Sequence, residues 1–411
     1  MRPDLALVNA GELVTLGGDD CNSLDIVEDG ALLVERGIVK WVGQTKELHR
    51  KSVGRPLKTV DAHGSLVTPG FVDPHTHLLF AGSREDELER KITGESYVNI
   101  LKNGGGIART VRETRAADIE SIVRQSRSRI RNLMKNGVTT IEVKTGYGQD
   151  LPSEVKLLRA LGRLAGTEKV ELVSTFLGLH ARPPEFEDDR EFVQYAVGTM
   201  LPAVAKLALK PTFSDCFCEE GIFSADECAR YLQASRALGF RLKVHADEFA
   251  DSGGAGLAAR FRCVSADHLG HSEAKGIAQM ARTGVTAVLL PGTSLYSGIA
   301  YADARRISAE GCQIALGTDL SPNSWIESPQ FVMSLACAGM KMTPSQALRG
   351  FTANAARALG RADIGRLLPG CKADFVIHGM PSYRFLPYRV GGDYIERVFK
   401  EGVEVYSSAD R

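Results

Sequence analysis

Two histidines separated by one residue, His75 and His77, are the clearest sign of chemistry in this sequence. They end an apolar run and follow a proline, in the order Val-Asp-Pro-His-Thr-His from residue 72. Side chains two residues apart in an extended segment point the same way, so both imidazoles can reach one cation. Neutral imidazole binds zinc, iron and nickel, and a carboxylate commonly completes such sites. The pair alone is a weak pattern, but it suggests a metal site.

Further histidines and two carboxylates occupy similar positions later in the chain. Six of the nine histidines lie at or just beyond the end of a predicted strand: His75, His77, His180, His245, His268 and His271. Glu248 follows His245 by three residues, and Asp319 ends another apolar run. Histidines that only fill a core would also occur at strand centres and in helices. The clustering at strand ends therefore favours a metal-dependent active site.

The elements that must position these residues alternate between strand and helix. From residue 66 onward we predict eight buried strands, at residues 67–72, 139–143, 171–176, 213–218, 242–246, 263–267, 286–290 and 313–317. Helical stretches lie between them, as in the βα rhythm of a parallel sheet. Eight such units favour a closed (β/α)₈ barrel of the TIM type, whose active site forms at the carboxyl ends of the strands.

Short strands and turns occur at both ends of the chain instead. Because the termini of a domain usually lie close together, we predict that residues 1–65 and 365–411 form one small β-sandwich domain. Residues 66–364 would then form the barrel. The three histidines of the small domain, His49, His63 and His378, are expected to be structural or on the surface.

Composition argues against several classes of partner and compartment. The 411 residues contain 50 basic and 50 acidic side chains, so neither nucleic acid nor an anionic membrane is an expected partner. The first ten residues lack the basic start and long apolar core of a signal peptide. The eight cysteines form no C-x-x-C pair and are interpreted as free thiols. We expect a cytoplasmic enzyme that acts on a small molecule.

The segment from Thr68 to His77, TPGFVDPHTH, resembles the opening motif of the amidohydrolase superfamily, which combines a barrel with a small β-sandwich. Within that superfamily the sequence resembles the imidazolonepropionase family over nearly its whole length. The most specific blocks are FAGSRE at 80–85, GGGI at 104–107, EVKTGYG at 142–148, STFLGLH at 174–180, HADE at 245–248 and VSADH at 264–268.

This resemblance implies hydrolysis of the cyclic amide of 4-imidazolone-5-propanoate to N-formimino-L-glutamate, a step of histidine degradation. It also implies a homodimer and one divalent or trivalent metal ion per chain, zinc or iron. The implied metal ligands are His75, His77, His245 and Asp319. The implied contacts of the substrate's propionate are Arg84, Tyr97, Tyr147 and His180, and Glu248 and His268 would flank the ring.

The residue types suit that reaction. Asp319 can take a proton from the attacking water, and Glu248 and His268 are further candidates for catalysis. Arg84 supplies a planar, two-pronged donor that matches a carboxylate; the alternative is a surface ion pair with Glu85 or Asp86. One loop departs from the family: Asn-Pro-Gly after the metal aspartate is replaced by LSPNSW at 320–325, where Asn323 is the candidate contact.

Other functions remain open at this point. An aminohydrolase that deaminates a purine or pyrimidine would share the metal ligands but need no carboxylate clamp. A non-catalytic descendant of hydrolases should have lost ligands that this chain keeps. A dinuclear hydrolase usually carries a modified lysine on the fourth strand, and residues 213–218 contain none. The sequence does not choose between zinc and iron.

Overall fold

Two eight-stranded sheets organise the part of the chain that the computed structural model describes, residues 3–18, 23–48, 56–95, 100 and 104–410. The strands are β1 Leu5–Val14, β2 Ile26–Glu35, β3 Ile38–Gln44, β4 Lys58–Asp61, β5 Leu66–Pro69, β6 Phe71–Asp73, β7 Val138–Lys144, β8 Glu171–Leu179, β9 Phe213–Cys218, β10 Arg241–Ala246, β11 Ser265–His268, β12 Thr286–Leu289, β13 Ile314–Leu316, β14 Phe375–His378, β15 Ile395–Lys400 and β16 Val403–Ser407.

Helices connect most of the barrel strands. The α-helices are Thr45–Leu48, Glu85–Ile92, Gly106–Ala116, Ile119–Lys135, Leu151–Ala165, Asp189–Tyr195, Leu201–Ala205, Ala225–Ala237, Gly254–Arg260, Ala274–Thr283, Pro291–Ser297, Ala304–Ala309, Pro329–Ala338, Pro344–Gly350, Ala353–Ala358 and Phe385–Tyr388; Ala196–Met200 is a π-helix and Ser408–Asp410 a 3₁₀-helix. Among the described residues, no helix is both long and apolar enough to cross a membrane.

The barrel is formed by β6 to β13, which follow one another in chain order. Each strand pairs in parallel with the next. Just beyond the ends of β13 and β6, the Asp319 N–H donates to the His75 carbonyl at 3.1 Å, and the His77 N–H donates to the Leu320 carbonyl at 2.9 Å. These bonds join the first and last strands at the height of the predicted site. The predicted eight-stranded barrel is confirmed.

Amphipathic helices cover the outside of the barrel. In helix Ile119–Lys135, residues such as Ile122, Ile130 and Leu133 are buried, and they recur at the spacing of one helix face. The helix begins where the Asp118 carboxylate accepts the N–H of Ser121, which satisfies a donor that has no partner within the helix. The barrel strands are therefore buried on both faces, as their apolar runs predicted.

The other sheet joins the two ends of the chain in the order β16-β15-β14-β5-β1-β2-β3, with β4 also beside β1. β1 pairs in parallel with β4 near its start and with β5 near its end. Inside, Phe375 stacks on Phe399 with ring centroids 4.3 Å apart. Lys58 on β4 pairs with Glu404 on β16 at 3.0 Å, which brings distant strands of the sheet together. This is the small β-sandwich expected from the sequence.

The prediction of one barrel strand at residues 67–72 is wrong, because this segment forms two strands in different sheets. Leu66–Pro69 pairs with β1 and β14 in the small sheet, and only Phe71–Asp73 belongs to the barrel. Gly70 separates them: its N–H donates to the Asp374 carbonyl, and a Cβ there would lie 2.3 Å from the Thr139 hydroxyl oxygen. Both strands are buried, so the hydrophobic pattern of the sequence does not show that β5 and β6 pair in different sheets. The other seven predicted barrel strands overlap observed strands.

Replacement of Gly70 by alanine should destabilise the protein, because the added methyl group overlaps the buried side chain of Thr139. Overpacking of this kind costs about 1–3 kcal/mol. Gly198→Ala is the matched control, because a Cβ at Gly198 meets nothing within 4 Å. Differential scanning calorimetry should give a clearly lower Tm for Gly70→Ala than for Gly198→Ala. Equal Tm values would contradict the close contact at Gly70.

Candidate active site

Three histidines meet at the carboxyl end of the barrel. His75 and His77 follow β6, and His245 lies near the end of β10. The Nε2 atom of His77 lies 3.2 Å from the Nε2 atoms of both His75 and His245. All three side chains are buried. His75 and His77 therefore point the same way, as the H-x-H pattern predicts, although both lie just past the end of β6. The Nε2 atoms of the three rings lie close together.

Asp319, which follows β13, adds a carboxylate to this cluster. Its Oδ1 atom lies 3.5 Å from the Nε2 atoms of both His75 and His77. That oxygen is buried and has no hydrogen-bond partner among the described residues, whereas Thr293 donates to Oδ2. Tetrahedral ligands about 2.0–2.1 Å from a zinc ion lie roughly 3.3 Å from one another. The observed spacing and the unsatisfied oxygen therefore fit a bound cation.

His268 and Glu248 border the cluster on one side. His268 ends β11, and its ring centroid lies 5.4 Å from that of His75 and 5.3 Å from that of His245. Its Nε2 atom lies 3.6 Å from the Glu248 carboxylate. Ligand atoms of His75, His268 and Asp319 also lie within 4.8 Å of one another, so His268 offers an alternative third ligand.

Burial keeps the imidazoles of His75, His77 and His268 neutral. It lowers the pKa of His75, His77 and His268 well below the usual value, and the positive charge of Lys144 lowers each pKa further. Burial also raises the pKa of Asp319 to about 6, against the hydrogen bond from Thr293, which lowers it. Metal ions bind neutral imidazole, so these histidines are in the form that a cation requires.

Two aspartates that the sequence interpretation missed lie against the Nδ1 atoms of two of the histidine rings. Asp267 Oδ2 accepts from His75 Nδ1 at 2.6 Å, and Asp215 Oδ2 lies 3.1 Å from His245 Nδ1. Both carboxylates are fully buried. A carboxylate on Nδ1 sets the tautomer and turns Nε2 towards a metal. The sequence signal that could have identified them is an acidic residue within a predicted buried strand, at Asp215 and at Asp267.

Two buried lysines compensate these carboxylates. Lys144 Nζ donates to Asp215 at 2.7 Å and to Glu142 at 2.9 Å. Lys243 Nζ donates to the Pro74 carbonyl at 2.7 Å and lies 3.7 Å from Asp267. All these side chains are fully buried. A layer of paired charges therefore lies directly beneath the histidines, and the backbone just before His75 is tied to it.

Tyr147 and His180 lie on the other side of the histidines. The His180 ring stacks on His77 with centroids 5.0 Å apart, and Tyr147 lies 5.1 Å from His180. His180 Nδ1 approaches the Gly146 carbonyl at 3.3 Å. Burial lowers the pKa of His180 to about 3, so this ring is neutral. Tyr97, the remaining aromatic candidate, lies outside the described residues.

Arg84 contacts Glu87 and Asn323 rather than its acidic neighbours Glu85 and Asp86. Its Nε donates to Glu87 at 3.0 Å, and its Nη2 donates to Asn323 at 3.1 Å. Arg84 and Glu87 are both buried, so the ion pair is neither at the surface nor with Glu85 or Asp86. Asn323 in the unusual loop thus reaches the predicted clamp residue.

The predicted site residues therefore form two groups. One connected cluster contains His75, His77, His245, Asp319, His268, Glu248, His180 and Tyr147. Arg84 and Asn323 form a separate pair as far as the described contacts go. The cluster offers a cation site, with His268 and Glu248 beside it as candidates for proton transfer. Arg84, next to Asn323, offers a guanidinium that can bind an anion. That combination suits metal-assisted hydrolysis of an anionic substrate.

Comparison with known proteins gives a family and a fold. Residues 222–404 match the model of the amidohydrolase family. The chain is 42% identical to the imidazolonepropionase of Parabacteroides distasonis, over 97% of each chain. It is 43% identical to that of Geobacillus thermodenitrificans, over 98% of this chain and 97% of the relative. An adenosine deaminase from Xanthomonas campestris with bound zinc has a similar structure, with a TM-score of 0.75, 18% identity and coverage of 98% and 93%.

Loss of the carboxylate behind His75 should weaken metal binding without removing a ligand. We expect Asp267→Asn to reduce the affinity for Zn²⁺ by about 10–100-fold, because the amide no longer fixes the His75 tautomer. Competition with a chromophoric chelator measures this affinity. Asp226→Asn, an exposed aspartate in helix Ala225–Ala237, is the control and should bind as the unmodified protein does. An unchanged affinity for Asp267→Asn would show that the pair does not orient a ligand.

Proposed function

Because the chain belongs to the imidazolonepropionase family of the amidohydrolases, we propose that it hydrolyses the cyclic amide of 4-imidazolone-5-propanoate to N-formimino-L-glutamate, a step of histidine degradation. The observation that carries the proposal is the cluster of three imidazoles and one carboxylate at the mouth of the barrel. Family membership supplies the substrate, and the cluster supplies the means of activating water.

In this proposal His75, His77, His245 and Asp319 hold one metal ion. Zinc and iron both accept three imidazoles and a carboxylate, so either metal suits the donor set. When bound, the ion supplies Lewis acidity, which polarises a carbonyl and makes water more acidic. The neutral histidines and the unsatisfied Asp319 Oδ1 support this assignment. His268 is then left for the substrate rather than the metal.

The chain's own residues handle the proton and the ring. Water adds to the ring carbonyl carbon, and the bond between that carbon and the ring nitrogen breaks. Asp319 accepts the proton of the water and returns it to the departing nitrogen, so one carboxylate serves as base and then as acid. Glu248 hydrogen-bonds a ring N–H, and His268 lies beside Glu248 at the same part of the ring. Their 3.6 Å separation and burial support a shared role at the substrate.

Arg84, Tyr97, Tyr147 and His180 bind the propionate, with Asn323 beside Arg84. A guanidinium carries five N–H donors, and the contacts with Glu87 and Asn323 use only part of them. The remaining donors lie in one plane and match the two oxygens of a carboxylate. Binding energy from this remote group orients the ring carbonyl, which raises the rate of the chemical step.

We further propose that the enzyme acts in the cytoplasm as a homodimer, with no nucleic acid or membrane as partner. The free cysteines at positions 216, 218, 228, 263, 312, 337 and 371 support a reducing compartment. The family resemblance supports the dimer, and light scattering coupled to size-exclusion chromatography measures it.

The reaction is tested with enzymatically generated 4-imidazolone-5-propanoate. We expect loss of its ultraviolet absorbance and appearance of N-formimino-L-glutamate by mass spectrometry. His75→Ala should lower kcat/KM at least about 1,000-fold, because a catalytic metal contributes several kcal/mol. His63→Ala is the matched control, because its side chain, in the turn between β4 and β5, is 83% exposed. Release of ammonia from a purine or pyrimidine, with no turnover of the imidazolone, would favour the deaminase alternative instead.

A truncated substrate tests the assignment of Arg84. Removal of the propionate should lower kcat/KM at least about tenfold, and Arg84→Ala should cause a similar loss on the full substrate. Arg84→Ala should lose little more on the truncated substrate, because both changes remove the same interaction. Arg90→Ala, which removes a surface ion pair with Glu95 from the same helix, is the control. If the two losses multiply, Arg84 does not hold the propionate.

A further inference from the structure

Glu219 is a buried carboxylate that the proposed reaction does not use. It follows β9, and only 1% of its surface is exposed. Within the described part of the chain, no lysine, arginine or histidine forms an ion pair with it. A carboxylate in such a place requires hydrogen-bond donors. The groups that donate to Glu219 therefore indicate its role.

Those partners belong mainly to the loop that carries Glu248. Oε2 accepts the backbone N–H groups of Glu248 at 2.7 Å and Phe249 at 3.0 Å. Oε1 accepts the N–H of Ala250 at 3.0 Å and the hydroxyl of Ser252 at 3.2 Å. Three consecutive N–H groups thus converge on one side chain. The carboxylate fixes the direction in which the chain leaves β10.

A second carboxylate holds the other half of this loop. Asp247 accepts the N–H groups of Ser252 at 3.1 Å, Gly254 at 2.7 Å and Ala255 at 3.1 Å. Asp247 itself has a φ of +54°, a left-handed conformation that costs energy for a residue with a side chain. The loop is therefore held in a strained shape by two anchors. Of the two, only Glu219 binds the N–H of Glu248 itself.

These hydrogen bonds determine where the Glu248 side chain lies. Its backbone is fixed by Glu219 at the N–H and by His271 Nδ1 at the carbonyl, 2.8 Å away. With both peptide groups held, the carboxyl group lies beside His268 and the histidine cluster. Burial raises the pKa of Glu248 well above its usual value, and the negative charges of Asp319 and Glu219 raise it further.

We propose that Glu219 is a positioning residue for the hydrolysis, which anchors residues 248–250 so that Glu248 meets the substrate ring in the productive orientation. The proposal rests on the role of Glu248 in the proposed function. Glutamine at position 219 keeps the size of the side chain but puts an NH₂ group where an oxygen now accepts hydrogen bonds. That group cannot accept an N–H, so one side of the anchor is lost and Glu248 is free to shift.

The test is a double-mutant cycle on kcat. Glu219→Gln should lower kcat at least about tenfold, because small misplacements of a reacting group cost up to about 100-fold, while KM changes less than about threefold. Added to Glu248→Gln, it should lower kcat by less than about twofold further, because both act through the same group. Glu220→Gln, the exposed neighbour, is the matched control and should keep the full kcat. Metal content should be equal in all variants.

The outcomes separate this inference from the proposed function. A normal kcat for Glu248→Gln would remove the role of Glu248 and the proposed ring contact with it. An impaired Glu248→Gln with a normal Glu219→Gln, or losses that multiply in the double variant, would overturn the anchoring role alone. If Glu219→Gln does not fold, Ser252→Ala removes one hydrogen bond to the same carboxylate. It should lower kcat about two- to fivefold without a further loss in the Glu248→Gln background, and an unchanged kcat would overturn the proposal.

Discussion

The structure depends above all on the pairing of buried carboxylates with the histidines of the barrel mouth. Asp267 holds His75 at 2.6 Å, and Asp215 lies 3.1 Å from His245. Without a positive partner these carboxylates would be costly to bury, and Lys144 supplies the charge. The barrel interior is therefore an organised ionic layer at this height. It turns the Nε2 atoms of His75 and His245 towards the Nε2 atom of His77.

Buried carboxylates also hold the loops that surround the histidine cluster. Glu154 accepts the N–H groups of Gly148 at 2.7 Å and Gln149 at 3.0 Å, in the loop that presents Tyr147. Glu87 accepts the N–H of Gly106 at 2.7 Å while it holds Arg84. Loops would otherwise be the most mobile parts of such a barrel. Buried carboxylates thus give the proposed substrate residues the rigidity of the strands behind them.

The sequence predicted that the proposed ligands would lie together, because a parallel barrel brings all its strand ends to one face. It did not predict what depends on contacts between distant segments. Gly70 changes strand partner inside one continuous apolar run, and Arg84 pairs with Glu87 rather than with its nearer acidic neighbours. His268 and Asp319 have φ values of +77° and +50°, a left-handed conformation that residues with a side chain seldom adopt. Tertiary packing imposes these features, so periodicity and composition cannot reveal them.

One metal ion is expected to bind to His75, His77, His245 and Asp319. Diffraction from crystals of the zinc-loaded protein, recorded on both sides of the zinc absorption edge, tests it most directly. We expect a single anomalous peak per chain, about 2.0–2.2 Å from the three Nε2 atoms and one Asp319 oxygen. A peak held by His75, His268 and Asp319 without His245, or two peaks in the barrel mouth, would contradict it.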